Sequence, residues 1–197
     1  MKTLFEQFEQ FRKLRYINNK IIIVDIQPSY RIHMNMDMHD FTEWLNYHDY
    51  LDILYLYNGP DLGYEDEGEI REWLYAYGLD SDRNITFYEK NYGFFRDMMD
   101  SGASKKEIVT LGKYMIENNI SDSRDITIDK VPGVNKKWLK DDYSIYIPDV
   151  KDVIDDFLDK GDVPLVIGGG KHECFGEIIL LLKMMDIKYD KESQFIY

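Results

Sequence analysis

Three residues have side chains suited to acyl chemistry, and each lies just beyond an apolar run. Cys174, the one cysteine of the chain, follows Val163-Pro164-Leu165-Val166-Ile167-Gly168-Gly169-Gly170-Lys171-His172-Glu173 and opens an apolar helical stretch. A helix N-terminus favours a thiolate and lowers the thiol pKa; Lys171 and His172 support this, and Glu173 opposes it. Three glycines leave backbone N–H groups around a small concavity, a place for an anion or a developing oxyanion. Gly168, Gly169, Gly170 and His172 are therefore the candidate anion- or oxyanion-binding set. Asp25 follows the β-branched run 21–24 and can serve as base, hydrogen-bond anchor or helix cap. Lys90 ends a third apolar run, where an ammonium can neutralise an oxyanion or lower a neighbouring thiol's pKa. Each also has a purely structural role open to it: close packing for the glycines, burial for the thiol, capping for Asp25 and solvation for Lys90.

The surrounding elements decide whether these residues can meet. Runs 21–24, 51–57, 85–88, 144–147, 163–167 and 194–197 read as strands. Helical spacing appears at 68–78, 93–100, 104–118, 149–158 and 172–185, and Ser104 with Glu107 forms a capping box. Leu4, Phe8, Phe11 and Leu14 mark an amphipathic helix in the first eighteen residues. Strands of buried type alternating with helices predict an α/β fold. It is doubly wound, with a mostly parallel sheet of five or six strands, helices on both faces and 21–24 in the middle. Residues 1–197 read as one α/β domain, with a long connection or insertion at 121–142. Ligands of such folds bind outside the carboxyl ends of the strands, where Asp25, Lys90 and Cys174 would converge.

These residues also carry a resemblance. Asp25-Ile26-Gln27 resembles the Asp-x-Gln opening of the isochorismatase-like cysteine hydrolases, a group that includes the nicotinamidases. Lys90-Asn91-Tyr92-Gly93-Phe94-Phe95 is similar to the family's lysine segment, and Gly168 to Cys174 matches its glycine-to-nucleophile spacing. The resemblance implies Asp25 as general base, Lys90 as support for the charged intermediate and Cys174 as the nucleophile on a carbonyl or related carbon. The chain departs from the family at Lys171, His172 and Phe175, and in the 84-residue interval from Lys90 to Cys174. Pro164 to Gly176 also resembles the Gly-Gly-Gly-His-Glu segment of ureohydrolases, but the 23 residues after Cys174 contain neither Asp-x-His-x-Asp nor Asp-x-Asp. The C-terminal block further resembles proteins of tailed phages.

Composition narrows the function classes. With 24 Lys+Arg against 37 Asp+Glu, the formal net charge is −13, which disfavours direct nucleic-acid binding. One cysteine permits no internal disulfide framework and fits a reducing compartment. No stretch reaches the roughly 18 apolar residues of a membrane span, and the charged N-terminal sequence is unlike a signal peptide, so a soluble, cytoplasmic protein is expected. His33, Asp37 and His39 lack the spacing of a ligand set on one helix face, and no resident metal or cofactor is expected. The acidic run 64–69 reads as a solvated loop before a helix. The helix after Cys174 is apolar nearly all round, which suits a core position or a homo-oligomer interface, and sixteen tyrosines suit either. Two functions follow: a cysteine hydrolase acting on a small molecule, and a non-catalytic acidic binding or inhibitor protein, phage-encoded, acting on a host protein. Convergence of Asp25, Lys90 and Cys174 is needed by the first and not by the second.

Overall fold

A computed structural model describes residues 19–90, 94–127, 131–139 and 145–197. The amphipathic segment expected in the first eighteen residues, and residues 91–93 of the lysine segment, lie outside the described residues.

Among the described residues five strands form one parallel sheet: β1 (Lys20–Val24), β2 (Asp52–Tyr57), β3 (Ile85–Glu89), β4 (Leu165–Gly168) and β5 (Asp190–Lys191), in the order β3-β2-β1-β4-β5. β1 is central, as its unbroken β-branched run requires: Ile21, Ile22, Ile23 and Val24 are all fully buried. The period of two then divides the core. Ile21, Ile23, Ile53 and Tyr55 face one layer with helices α1 (Met38–Tyr47) and α2 (Glu67–Ala76). Ile22, Val24, Leu54 and Leu56 face the other. That second layer contains α3 (Arg96–Asp100), α4 (Lys105–Glu117), α5 (Val150–Phe157) and α6 (Cys174–Met184). The result is an α/β fold of the doubly wound kind.

Two expected strands are not strands of this sheet. Of the run 144–147, residue 144 lies outside the described residues, and 145–147 pair with 121–123 through one isolated antiparallel bridge, Asp122 with Tyr146. Ser193–Phe195 is a 3-10 turn, and the edge position is taken by Asp190–Lys191 beside β4. Both segments are short apolar runs, whose local pattern does not separate strand from other buried backbone. Helix α1 was not anticipated; Asp37 caps it, accepting from the His39 N–H at 2.8 Å.

The stretch 121–142 contributes no sheet strand among its described residues, yet Val131, Val134 and Trp138 are buried in the second layer. Trp138 donates through Nε1 to Glu107 Oε1 at 3.2 Å, so the connection is anchored to α4. Helix α6 lies inside the molecule, with nine of its eleven residues buried, which accounts for its apolar surface. Gly112 lets α4 come close to it, because a Cβ there would stand 2.3 Å from Met184 Sδ. Among the described residues no helix is long and apolar enough to cross a membrane.

Candidate active site

The parallel sheet brings its carboxyl-terminal strand ends together, and four of them supply the site. The residue after β1 is Asp25, that after β2 is Asn58, that after β3 is Lys90, and β4 runs into the glycine turn before Cys174. Backbone pairing extends one residue beyond the strands: the Asp25 N–H donates to Leu56 O at 2.9 Å and the Lys90 N–H to Tyr57 O at 2.8 Å.

Asp25 is fully buried and has a positive φ of 50°, an uncommon backbone for a residue with a side chain and one often found at functional sites. Its carbonyl accepts from the Tyr197 hydroxyl at 2.8 Å. Its carboxylate lies 3.0 Å from Lys90 Nζ, an ion pair with both side chains at most 3% exposed. The Cys174 thiol lies near enough to this carboxylate and to Lys90 to be coupled electrostatically to both. Asp25, Lys90 and Cys174 thus converge, from three separate parts of the chain.

The electrostatics of the set run against one expectation. Burial pushes the Cys174 thiol up to about 12, the Asp25 carboxylate adds to this, and Lys90 reverses only part of it. The helix N-terminus and its neighbours therefore do not produce a resting thiolate, because desolvation and an adjacent anion outweigh them. Burial alone would lower the Lys90 ammonium, but Asp25, Cys174 and Glu177 together more than reverse that and hold it above its ordinary value. The resting arrangement is a protonated thiol beside a carboxylate that is paired with a cation.

Gly168 and Gly169 have φ of +83° and +68°, and a Cβ on Gly168 would stand 2.2 Å from Val24 O. Only glycine allows the turn to pass so close to β1. Of the candidate oxyanion set, Gly170 and His172 line a cleft of about 480 Å³, together with Cys174. Tyr30 and Tyr197 are half-buried in it, and His33, Lys171, His172 and Glu173 are exposed. Tyr197 also fastens the turn: its N–H donates to Gly169 O at 3.2 Å, and its carbonyl accepts from the Lys171 N–H at 2.6 Å. The first N–H groups of α6 have no intrahelical acceptor, and Cys174 is the first residue of that helix.

Several residues of the site were not singled out from the sequence. Asn58 is not among the candidates from the sequence, yet its Oδ1 accepts from Lys90 Nζ at 2.8 Å. Gln27, named from the sequence only as part of the Asp-x-Gln resemblance and given no role there, holds the Asn58 backbone. Glu177, one turn after Cys174, is 2% exposed and accepts from the Phe95 N–H at 2.8 Å. The available signal was position: Asn58 ends an apolar strand, as Asp25 and Lys90 do. Among the described residues no group of three or more His, Cys, Asp and Glu is arranged to hold a metal ion. Asp37 caps α1 and His39 Nδ1 lies 3.0 Å from Tyr77 O.

Comparison of the chain with protein-family models, curated proteins and solved structures finds no match.

Proposed function

We propose that this protein is a cysteine hydrolase of isochorismatase-like type, acting on an amide or related carbon of a small molecule. The observation that carries this reading is the buried Asp25–Lys90 pair with the Cys174 thiol against it, beside an open cleft. A buried ion pair beside a thiol is costly to maintain for stability alone. It has the parts of an activated nucleophile.

In the proposed reaction Cys174 Sγ forms a bond to the substrate carbonyl carbon while its proton passes to Asp25. The carbonyl π pair moves to oxygen, and N–H groups at the start of α6 stabilise the oxyanion. Lys90 balances the negative charge of the set throughout. Collapse of the intermediate breaks the C–N bond, and Asp25 returns the proton to the leaving nitrogen. Water then attacks the thioester carbon and gives a proton to Asp25. The thiolate leaves and recovers that proton, which restores the resting state. Because the resting thiol is protonated, Asp25 acts as general base during attack rather than facing a preformed thiolate.

The test is hydrolysis of a panel of aliphatic and aromatic carboxamides and activated esters, with intact-mass detection of an acyl adduct. The expected result is a Cys174-linked acyl intermediate in the wild type and none in Cys174→Ala. Asp25→Asn and Lys90→Met should each lower kcat/KM by roughly a thousandfold. Equal activity of wild type and Cys174→Ala overturns the reading. Absence of turnover and adduct across the panel favours an acidic binding protein instead.

A further inference from the structure

A buried ammonium must have its donors directed at acceptors, since each unspent charge–dipole interaction is costly away from water. Lys90 is 3% exposed and has three N–H donors. Asp25 Oδ2 lies 3.0 Å from its Nζ, and Asn58 Oδ1 accepts from it at 2.8 Å. Acceptors at the ends of β1 and β2 thereby fix the direction of a side chain that emerges from β3.

Asn58 is itself held from every side. Its backbone N–H donates to Gln27 Oε1 at 3.0 Å and its carbonyl accepts from Gln27 Nε2 at 3.1 Å, so the Gln27 amide pairs with residue 58 as a further strand would. Gln27 Nε2 also donates to Glu65 Oε2 at 2.9 Å. Asn58 Nδ2 donates to the Tyr30 hydroxyl at 2.9 Å. This network sets the amide orientation: a flipped Asn58 would turn its NH₂ group towards the Lys90 ammonium.

We propose that Asn58 is a positioning residue: its Oδ1 holds the Lys90 ammonium against the Asp25–Cys174 pair, and its Nδ2 ties that hold to Tyr30 in the cleft. The proposal rests on the reading of Asp25, Lys90 and Cys174 as one reacting set. The groups facing Lys90 are Asp25 from β1, Cys174 and Glu177 from α6, and the neutral Asn58 from β2. Those facing Cys174 are Asp25, Lys90 and Glu177, and the Tyr30 and Tyr197 phenols lie within reach of its charge. Without Asn58 Oδ1 the ammonium loses the acceptor that directs it from the end of β2, and its hold beside Asp25 and the thiol loosens.

Cys174 is the one thiol of the chain, so alkylation by iodoacetamide reports on the site without any substrate. Rates between pH 7 and 10.5 are compared for wild type, Asn58→Ala, Asn58→Ser and Lys90→Met, each checked by circular dichroism. Lys90→Met should be slower by about tenfold or more at each pH, the change in thiolate population for one step in pKa. The two Asn58 variants should be slowed in the same direction and by less. Serine is too short to reach Lys90 and preserves a polar group at the turn, so it carries the test if the alanine variant does not fold. Folded Asn58 variants that alkylate at wild-type rates beside a slowed Lys90→Met overturn the role of Asn58 and leave the reacting set intact. Wild-type rates for Lys90→Met overturn both.

Discussion

Glu177 stands one helical turn from Cys174, and its buried carboxyl takes the Phe95 N–H at 2.8 Å while Arg96 Nη2 lies 3.9 Å away. It therefore clamps the segment after Lys90 to the helix that carries the thiol. Burial raises its pKa above the usual glutamate range, against the lowering effects of the Phe95 N–H, Arg96 and Lys90. A carboxyl raised on folding binds its proton more tightly folded than unfolded. The stability it contributes is complete below the ordinary glutamate pKa and is lost as pH rises through the folded value. Glu177→Gln preserves the acceptor for Phe95 without the buried charge. It should melt above the wild type at pH 7.5, by about 2–4 °C for each kcal/mol recovered in a chain of this size. The gap should narrow towards pH 4.5. A melting difference that stays constant across that range would show that the charge has no part in it.

At the scale of elements, the site depends on how closely β4 and α6 approach β1. Gly168 pairs with Val24 at the end of the ladder, and its turn has no room for a side chain beside Val24 O. Gly168→Ala meets two penalties: a left-handed φ that alone costs more than about 1 kcal/mol for alanine, and an overlap with main chain that cannot move without opening the sheet. The expected outcome is a large fall in the urea midpoint, together with loss of protection at the Cys174 thiol. Gly102, also at positive φ but with open space around it, provides the control. Gly102→Ala should show the conformational penalty alone. Equal midpoints for the two variants would mean that the close approach at Gly168 contributes nothing.

For the molecule as a whole, the long connection between α4 and α5 belongs to the second core layer. Trp138 is 1% exposed, with Lys137 Nζ 3.8 Å over its ring. Trp138→Ala removes a large buried ring and leaves a cavity against α4, a change worth about 3–5 kcal/mol. Denaturant unfolding should retain a single transition, shifted down by that amount. A peripheral excursion would instead tolerate the change within about 0.5 kcal/mol.

The central strand, the alternation of strands with helices and the strand-end positions of Asp25 and Lys90 were legible in the sequence, because β-branched runs and turn residues are local signals. The glycine turn before Cys174 was legible for the same reason. Their convergence is written in the strand order β3-β2-β1-β4-β5, which no local pattern encodes. The ladder extension by Gln27 and the Asn58 grip on Lys90 depend on register between strands some thirty residues apart. The state of the thiol was decided in the fold as well. Local cues at Cys174 favour a thiolate, whereas burial beside Asp25 keeps it protonated, since desolvation and a neighbouring charge act through space. The chain thus specified by itself which groups stand at the strand ends. Only tertiary packing determined which of them lie together, and that the thiol among them is pushed up rather than down.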